Sequence, residues 1–167
     1  NIIQSPGETR KKGVVCPVCG KPLTVGVMHR IEVLANLEPQ VKQKSNPAGL
    51  VINYHSLDSS RPPYIMMVPL LEILAEALGS TTASQKTFKV YENLIDNFHS
   101  ELSVLIKTPL EQISLVAGER AAEGISKVRR GDIAIRPGYD GVFGAVTIWQ
   151  EKGAEKMPLA KEQMSLF

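Results

Sequence analysis

The stretch Thr108–Phe143 constrains the fold most, because it joins two short helical patterns through a glycine and the second pattern ends in basic residues. Its first pattern begins at Thr108, which is predicted to form a capping box with Glu111 three residues later, and its apolar residues fall on one helical face. Gly118 interrupts this pattern as a helix-ending glycine does, and Gly131 ends the second pattern. The stretch therefore predicts a helix–glycine–helix unit followed by a small glycine-punctuated β-hairpin.

A helix–glycine–helix unit of this size resembles the helix-hairpin-helix of DNA repair proteins. Such a unit can hold backbone N–H groups against a phosphate, because a helix N-terminus favours anions and glycine allows a close approach. Gly118 is the candidate turn, and nearby basic residues would attract the DNA backbone. These residues are Lys127, Arg129, Arg130 and Arg136. The alternative is an ordinary helical hairpin with a solvated basic end.

Composition narrows the class of protein. The chain has 167 residues, is 43% hydrophobic and carries a net charge of +2, so nucleic-acid binding must depend on local basic patches. No apolar run reaches membrane-spanning length and no signal peptide is visible, so we expect a cytoplasmic protein without membrane contact. The chain begins at Asn1 rather than at a methionine, and we expect further parts upstream.

Both cysteines lie in one short motif, Cys16-Pro-Val-Cys19-Gly20, whose spacing is typical of a zinc knuckle. Gly20 supplies the positive φ that a tight turn around two thiolates often needs. A thioredoxin-type redox pair is the rival interpretation, but the proline that follows opposes the helix such a pair requires. Because a structural zinc takes four ligands, we expect an incomplete site, with upstream ligands favoured over His29 or His55.

The patterns predict a mainly α fold with small β elements, divided into four segments. Residues 1–36 hold the zinc-knuckle segment, preceded by a flexible lead-in and followed by a helix from residue 24. Residues 37–63 are rich in proline, glycine and serine and predict an irregular linker, in which Leu50–Ile52 is either a short strand or a brief packing segment. Residues 64–149 form a helical DNA-binding domain with the helix-hairpin-helix-like motif and a C-terminal β-hairpin. Residues 150–167 form a flexible polar tail.

Within the helical domain, Pro69 begins one predicted helix, and residues 85–98 form another whose aromatic and aliphatic stripe faces the core. We favour core packing for this stripe over a platform for base stacking. The apolar run Leu102–Ile106 has the length of a strand.

Three stretches together resemble the C-terminal half of PHP-type phosphoesterases that carry a zinc ribbon, a family that includes endonuclease Q. They are CPVCGKPLTVGVMHRIEVLAN at 16–36, RPPYIMMVPLLEILAEALG at 61–79, and RPGYDGVFG at 136–144. Related bacterial proteins have been labelled UvrD-type DNA helicases. The resemblance implies a DNA-repair setting, zinc at Cys16 and Cys19, and a parent enzyme that nicks DNA 5′ to deaminated bases and abasic sites.

The resemblance assigns no catalytic residue to this chain. The family's catalytic metals sit in its N-terminal half, and the three scattered histidines here match none of its motifs. We therefore expect a catalytically inactive, DNA-binding region of a metal-dependent endonuclease. The alternatives are an accessory region of a UvrD-type helicase, without a P-loop of its own, and a purely structural protein-interaction module.

The C-terminal residues Gln163-Met164-Ser165-Leu166-Phe167 resemble the short peptide by which bacterial repair and replication proteins bind the sliding clamp. Leu166 and Phe167 are apolar anchors separated from the core by a polar stretch, which suits a preformed pocket on a partner. Gln163 and Met164 complete the motif, with methionine replacing leucine at similar volume. The alternative is that these residues fold back onto their own domain.

Overall fold

The fold is that of a computed structural model, which describes residues 2–35, 40–136, 138 and 143–149. Within these residues it is mainly helical with two small antiparallel strand pairs, which confirms the predicted fold class. The helices are α1 (Pro6–Lys12), α2 (Val27–Leu34), α3 (Leu70–Ala77), α4 (Gln85–Phe98), α5 (Glu101–Ile106), α6 (Leu110–Ala117) and α7 (Glu119–Arg130). The strands are β1 (Val41–Ser45), β2 (Val51–His55), β3 (Ala134–Arg136) and β4 (Ala145–Thr147). No described helix is both long and apolar enough to cross a bilayer.

The chain divides into two compact units. The smaller unit takes its described residues from Asn1–Gln40 and Ile135–Ala145, and the larger unit from Val41–Ala134 and Val146–Ala154. The larger unit holds the hydrophobic core, where α3, α4, α5, α6 and α7 pack on one another. Fully buried Ile73, Leu94 and Ile125 come from three of these helices. The core is almost wholly aliphatic, as expected from the scarcity of aromatic residues.

The helical periodicity predicted the middle of the chain well. α4 spans the predicted residues 85–98, with Ser84 accepting a hydrogen bond from the Thr87 N–H at its N-terminus. α3 begins directly after Pro69 and ends before Gly79, as predicted. The stripe on α4 is only partly buried, because Leu94 is enclosed whereas Phe88 is half exposed and stacks on Tyr91 at the surface.

Three elements differ from the sequence prediction. Residues 6–12 form α1 instead of a flexible lead-in, because Ser5 and Glu8 make a reciprocal capping box. Leu102–Ile106 belongs to α5 and not to a strand, since Ser100 accepts a hydrogen bond from the Ser103 N–H and starts a new helix. The segment predicted to be irregular, 37–63, contains the antiparallel hairpin of β1 and β2.

The predicted capping box at Thr108 and Glu111 is also wrong. α6 begins one residue later than expected, with Pro109 at its N-cap and no side-chain cap. The Thr108 hydroxyl instead donates a hydrogen bond to the Ser103 carbonyl at 3.0 Å, so it closes the end of α5. A residue between two consecutive helices can serve either one, and here it serves the preceding helix.

Candidate functional site

Gly118 forms the turn between α6 and α7, as the sequence predicted. Its φ of 87° lies in the region that favours glycine. Its N–H donates to the Ser114 carbonyl at 2.8 Å, and its carbonyl accepts from the Ala122 N–H at 3.2 Å. One residue thereby ends α6 and begins α7, which produces the tight helix–glycine–helix unit.

The surface beside this turn is acidic. A shallow groove between α6 and α7 is lined by Glu111, Glu119 and Glu123 together with the exposed Leu115. Carboxylates repel a phosphate and would oppose the N-terminal dipole that attracts it. The geometry of the turn therefore fits the helix-hairpin-helix hypothesis, whereas the charge around it does not favour a phosphate contact on this face.

Arg129 is enclosed in the larger unit, with only 2% of its surface exposed. Its guanidinium donates hydrogen bonds to the carbonyls of Leu105 at 2.9 Å, Val104 at 2.9 Å and Thr108 at 2.6 Å. A fourth, longer contact of 3.5 Å reaches the carbonyl of Ala48. Burial lowers the pKa of this guanidinium from its usual value. The guanidinium donors of Arg129, which the sequence analysis placed among the DNA contacts, are therefore occupied by backbone carbonyls.

The other predicted basic residues lie at the surface or near it. Lys127 is mostly covered and pairs with Asp132, with 2.7 Å between Nζ and Oδ2. Arg130 is exposed in the last turn of α7, beside the left-handed Gly131 that ends the helix. Arg136 is exposed at the end of β3 and belongs to the smaller unit. Arg130 and Arg136 thus keep the accessibility that a phosphate contact requires.

The two cysteines occupy a tight turn in the smaller unit. The Cys16 N–H donates a hydrogen bond to the Lys21 carbonyl at 2.8 Å, and the Gly20 N–H donates one to the Cys16 carbonyl at 2.9 Å. Gly20 has the predicted positive φ, 69°. Cys16 is buried and Cys19 exposed, and they form no disulfide. This backbone path is that expected for a metal knuckle.

The environment of Cys16 favours its thiolate. Backbone hydrogen bonds from Cys19 and then from Val18 lower the pKa of Cys16, and the Cys19 side chain adds to the effect. A thiolate is the form that ligates zinc, and N–H donors that support it are part of a metal site's outer shell. Two thiolates could supply two of the four ligands of a tetrahedral zinc. In the part of the chain described, no cluster of three or more His, Cys, Asp or Glu side chains could hold a metal.

The structure also shows a basic surface that the sequence analysis missed. Lys42 and Lys44 occupy alternate positions of β1, in the segment that was predicted to be irregular. The available signal was a run from 40 to 57 with two lysines and no aspartate or glutamate. The predicted clamp-binding residues Gln163, Met164, Leu166 and Phe167 lie outside the described residues.

A match to a known protein family lies within the larger unit. Residues 69–132, which contain α3 to α7, match a family described as the MJ0043 C-terminal domain. The uncharacterized protein MJ0043 of Methanocaldococcus jannaschii is 26% identical over 145 residues, which cover 87% of this chain and 16% of that protein.

Two solved structures resemble the chain over most of its length. The lesion-specific endonuclease PfuEndoQ from Pyrococcus furiosus aligns with 90% of this chain and 33% of its own, at a TM-score of 0.64 and 29% identity. Endonuclease Q in complex with a 27-mer duplex substrate, with an abasic lesion at the active site, aligns with 86% of this chain and 32% of its own, at a TM-score of 0.59 and 30% identity. The chain is similar to a region of endonuclease Q.

That similarity confirms the endonuclease Q part of the sequence resemblance. The chain spans about a third of each endonuclease Q chain and about a sixth of the curated relative. The aligned part extends beyond the helical residues 69–132, since it covers 86–90% of the chain. The PHP domain, the zinc ribbon and the helicase connection stay predictions.

Proposed function

We propose that this chain is the DNA-binding part of a lesion-specific DNA-repair endonuclease, and that the cleavage chemistry is carried by other parts of the parent protein. The observation that carries the proposal is the similarity to endonuclease Q over nearly the whole chain, at 29–30% identity. One of the two similar structures holds a duplex substrate with an abasic lesion. Neither similar structure, nor the curated relative, is described as a helicase.

In this proposal the chain contributes phosphate contacts and no catalytic residue. Arg130 and Arg136 are the contacts we assign from the predicted basic cluster, because both are exposed. Lys127 contributes less, since Asp132 already neutralises it at 2.7 Å. Arg129 acts indirectly, because its side chain donates hydrogen bonds to backbone carbonyls near the end of α5 and so fixes that end.

Fluorescence anisotropy with a labelled 27-base-pair duplex, with and without one abasic site, tests the proposal. We expect binding that weakens steeply with salt, because each phosphate contact releases counterions. Arg130→Glu with Arg136→Glu should reduce the affinity at low salt by about tenfold or more, and should flatten the salt dependence. The matched control is Lys86→Glu with Lys89→Glu on the exposed side of α4, which changes the net charge equally. Absence of binding by the wild type at 50 mM salt would contradict the proposal.

We infer a zinc role for the knuckle from the same geometry. Two thiolates leave two positions on a tetrahedral zinc unfilled, so the chain alone should retain zinc weakly. Elemental analysis after gel filtration should show well under one zinc per chain, and Cys16→Ser or Cys19→Ser should remove what is retained. Near-stoichiometric zinc that survives mild chelation would instead show that another ligand or a second chain completes the site.

The clamp-binding peptide is a separate proposal that rests on the sequence alone. Leu166 and Phe167 would enter a pocket on a bacterial sliding clamp, with Gln163 and Met164 completing the motif. Calorimetry with a purified clamp should give binding in the micromolar range, since ordering of a tethered peptide opposes association. Leu166→Ala with Phe167→Ala should abolish the heat. Equal heats for both proteins, or none for either, would exclude this partner.

A further inference from the structure

The β1–β2 hairpin has one basic face. Antiparallel register places Lys42 opposite Tyr54 and Lys44 opposite Ile52. Because side chains alternate along a strand, these four share one face, and the two lysines lie about 6.7 Å apart along β1. Both lysines are exposed, and β1 presents its outer edge, since in the described part of the chain it pairs with β2 alone.

Nothing acidic neutralises this face within the hairpin. Residues 40–57 contain two lysines and a histidine and no carboxylate, and the next acid, Asp58, pairs with Arg61 at 3.1 Å. The Lys44 ammonium lies 5.4 Å from the centre of the Tyr54 ring. A cation held over an aromatic face keeps its charge and has already lost part of its rotational freedom before a ligand binds. Binding an anion then costs less side-chain entropy.

The opposite face anchors the hairpin to the larger unit. Asn53 is buried and exchanges backbone hydrogen bonds with Tyr64 at 2.9 and 3.0 Å. Leu50 is almost fully enclosed, and the Asn46 side chain accepts from its N–H at 2.9 Å. The turn also touches Arg129, whose guanidinium lies 3.5 Å from the Ala48 carbonyl. The lysine face therefore belongs to a hairpin that is anchored on the larger unit, and not to a free loop.

We propose that the face formed by Lys42, Lys44 and Tyr54 binds the phosphate backbone of DNA. The inference rests on the proposed DNA-binding function and adds a contact surface to it. An extended strand that repeats a cation at every second residue, without intervening carboxylates, suits a linear polyanion. The turn of the hairpin contacts the Arg129 guanidinium through the Ala48 carbonyl. The hairpin therefore lies beside the end of α7 that also carries the exposed Arg130.

A simpler role for the two lysines is to keep an open edge strand from pairing with other chains. The two roles predict different outcomes when the charge is removed. If the lysines only protect the edge, neutral variants should self-associate and bind DNA normally. If they contact phosphates, neutral variants should lose affinity and salt dependence together.

The test compares Lys42→Gln with Lys44→Gln against Lys86→Gln with Lys89→Gln in the 167-residue chain. The probe is the labelled 27-base-pair duplex, titrated by anisotropy between 50 and 300 mM salt. We expect the hairpin variant to lose about tenfold or more in affinity at 0.1 M salt, and the slope of log K against log salt to fall by about 2. The α4 variant should change neither by a comparable amount, and Lys42→Arg with Lys44→Arg should retain both.

The outcomes separate the inference from the function on which it rests. A hairpin variant that binds like the wild type, with or without self-association, overturns the inference and leaves the proposed function standing. Equal losses in the hairpin and α4 variants also overturn it, because they would show a general charge effect. A wild-type chain that does not bind the duplex overturns both proposals.

Discussion

At the level of single residues, burial separates Arg129 from Arg130 although the two are neighbours in one basic run. The last carbonyls of a helix lack intrahelical partners. Val104 and Leu105 are near the end of α5, and Arg129 donates to both carbonyls at 2.9 Å. A cation at a helix C-terminus also interacts favourably with the helix dipole. Arg129 therefore acts as a capping residue that α7 supplies to α5.

Replacing Arg129 by methionine should lower the free energy of unfolding by about 3 kcal/mol, because buried carbonyls lose their donors. Chemical denaturation monitored by circular dichroism measures this loss. Arg130→Met, its exposed neighbour, should change stability by less than about 0.5 kcal/mol. Arg129→Lys should fall between the two, since one ammonium cannot satisfy all of the carbonyls. Equal stability of the Arg129→Met and wild-type chains would contradict the capping role.

Glu8 gives a pH-dependent prediction for α1. The hydrogen bond from Lys12, at 2.8 Å, and then the Ser5 N–H, at 3.0 Å, lower the pKa of Glu8 from 4.5 to about 2. The charged form is favoured in the folded state. Its stabilisation of α1 is therefore fully present above pH 4.5 and is lost as the pH falls toward 2.

An NMR titration should find the Glu8 carboxyl protonating near pH 2, with the helical shifts of residues 6–12 declining over the same range. Glu8→Gln should remove this pH dependence, and Lys12→Met should raise the pKa of Glu8. A Glu8 pKa close to 4.5 in the wild type would show that the capping box does not persist in solution.

At the level of elements, the segment after β4 is fixed onto the helices by Trp149 and Glu76. The Glu76 carboxylate accepts from the backbone N–H groups of Ile148 and Trp149 at 2.9–3.0 Å. The Trp149 ring stacks under Arg120 at 4.3 Å and donates to Glu123 at 3.1 Å. A side chain at Gly124 would meet this ring, since a Cβ there would be 2.8 Å from the Trp149 Cη2 atom.

Gly124→Ala should destabilise the chain by about 1–3 kcal/mol, because the clash with Trp149 and with Ile73 at 3.0 Å exceeds the gain of about 1 kcal/mol in helix propensity. Trp149 is the sole tryptophan, so a red shift of its fluorescence would report its displacement. Ser126→Ala in the same helix is the control without a clash. The loss should be smaller in a Trp149→Leu background, and an unchanged loss would show that the ring is not its cause.

The elements that the sequence predicted are those with a local pattern. The features that it missed depend on contacts with residues distant in the chain. The periodicity of α4 and the glycine between α6 and α7 were sufficient to place them. The apolar run Leu102–Ile106 was wrongly predicted as a strand, because the six-residue helix α5 that contains it is too short to distinguish the helical period from the strand period. The burial of Arg129 was not predictable either, since its carbonyl partners lie 21–25 residues earlier in the chain. The acidic groove beside Gly118 emerges only when α6 and α7 are packed together.

At the level of the whole molecule, the two units differ in how much apolar surface they bury. Among the described residues, the larger unit contains the hydrophobic core cluster, whereas the smaller unit buries only Cys16 among its hydrophobic residues. α2 has no buried residue, and Val27 and Leu34 remain 75% and 63% exposed. A small unit without a core needs another source of stability, which metal binding at a knuckle commonly supplies.

Hydrogen exchange should therefore be slowest in α3 and α7 and fast throughout the described part of the smaller unit, because opening costs least where little apolar surface is buried. Zinc added in excess should slow exchange between residues 14 and 23, where the backbone of the knuckle pairs with itself, and leave α3 and α7 unchanged. Cys19→Ser is the matched control, since it removes one ligand at an exposed position without disturbing a core. If the metal-free smaller unit exchanges as slowly as α7, its stability does not depend on the apolar surface that it buries, and zinc is not needed to stabilise it.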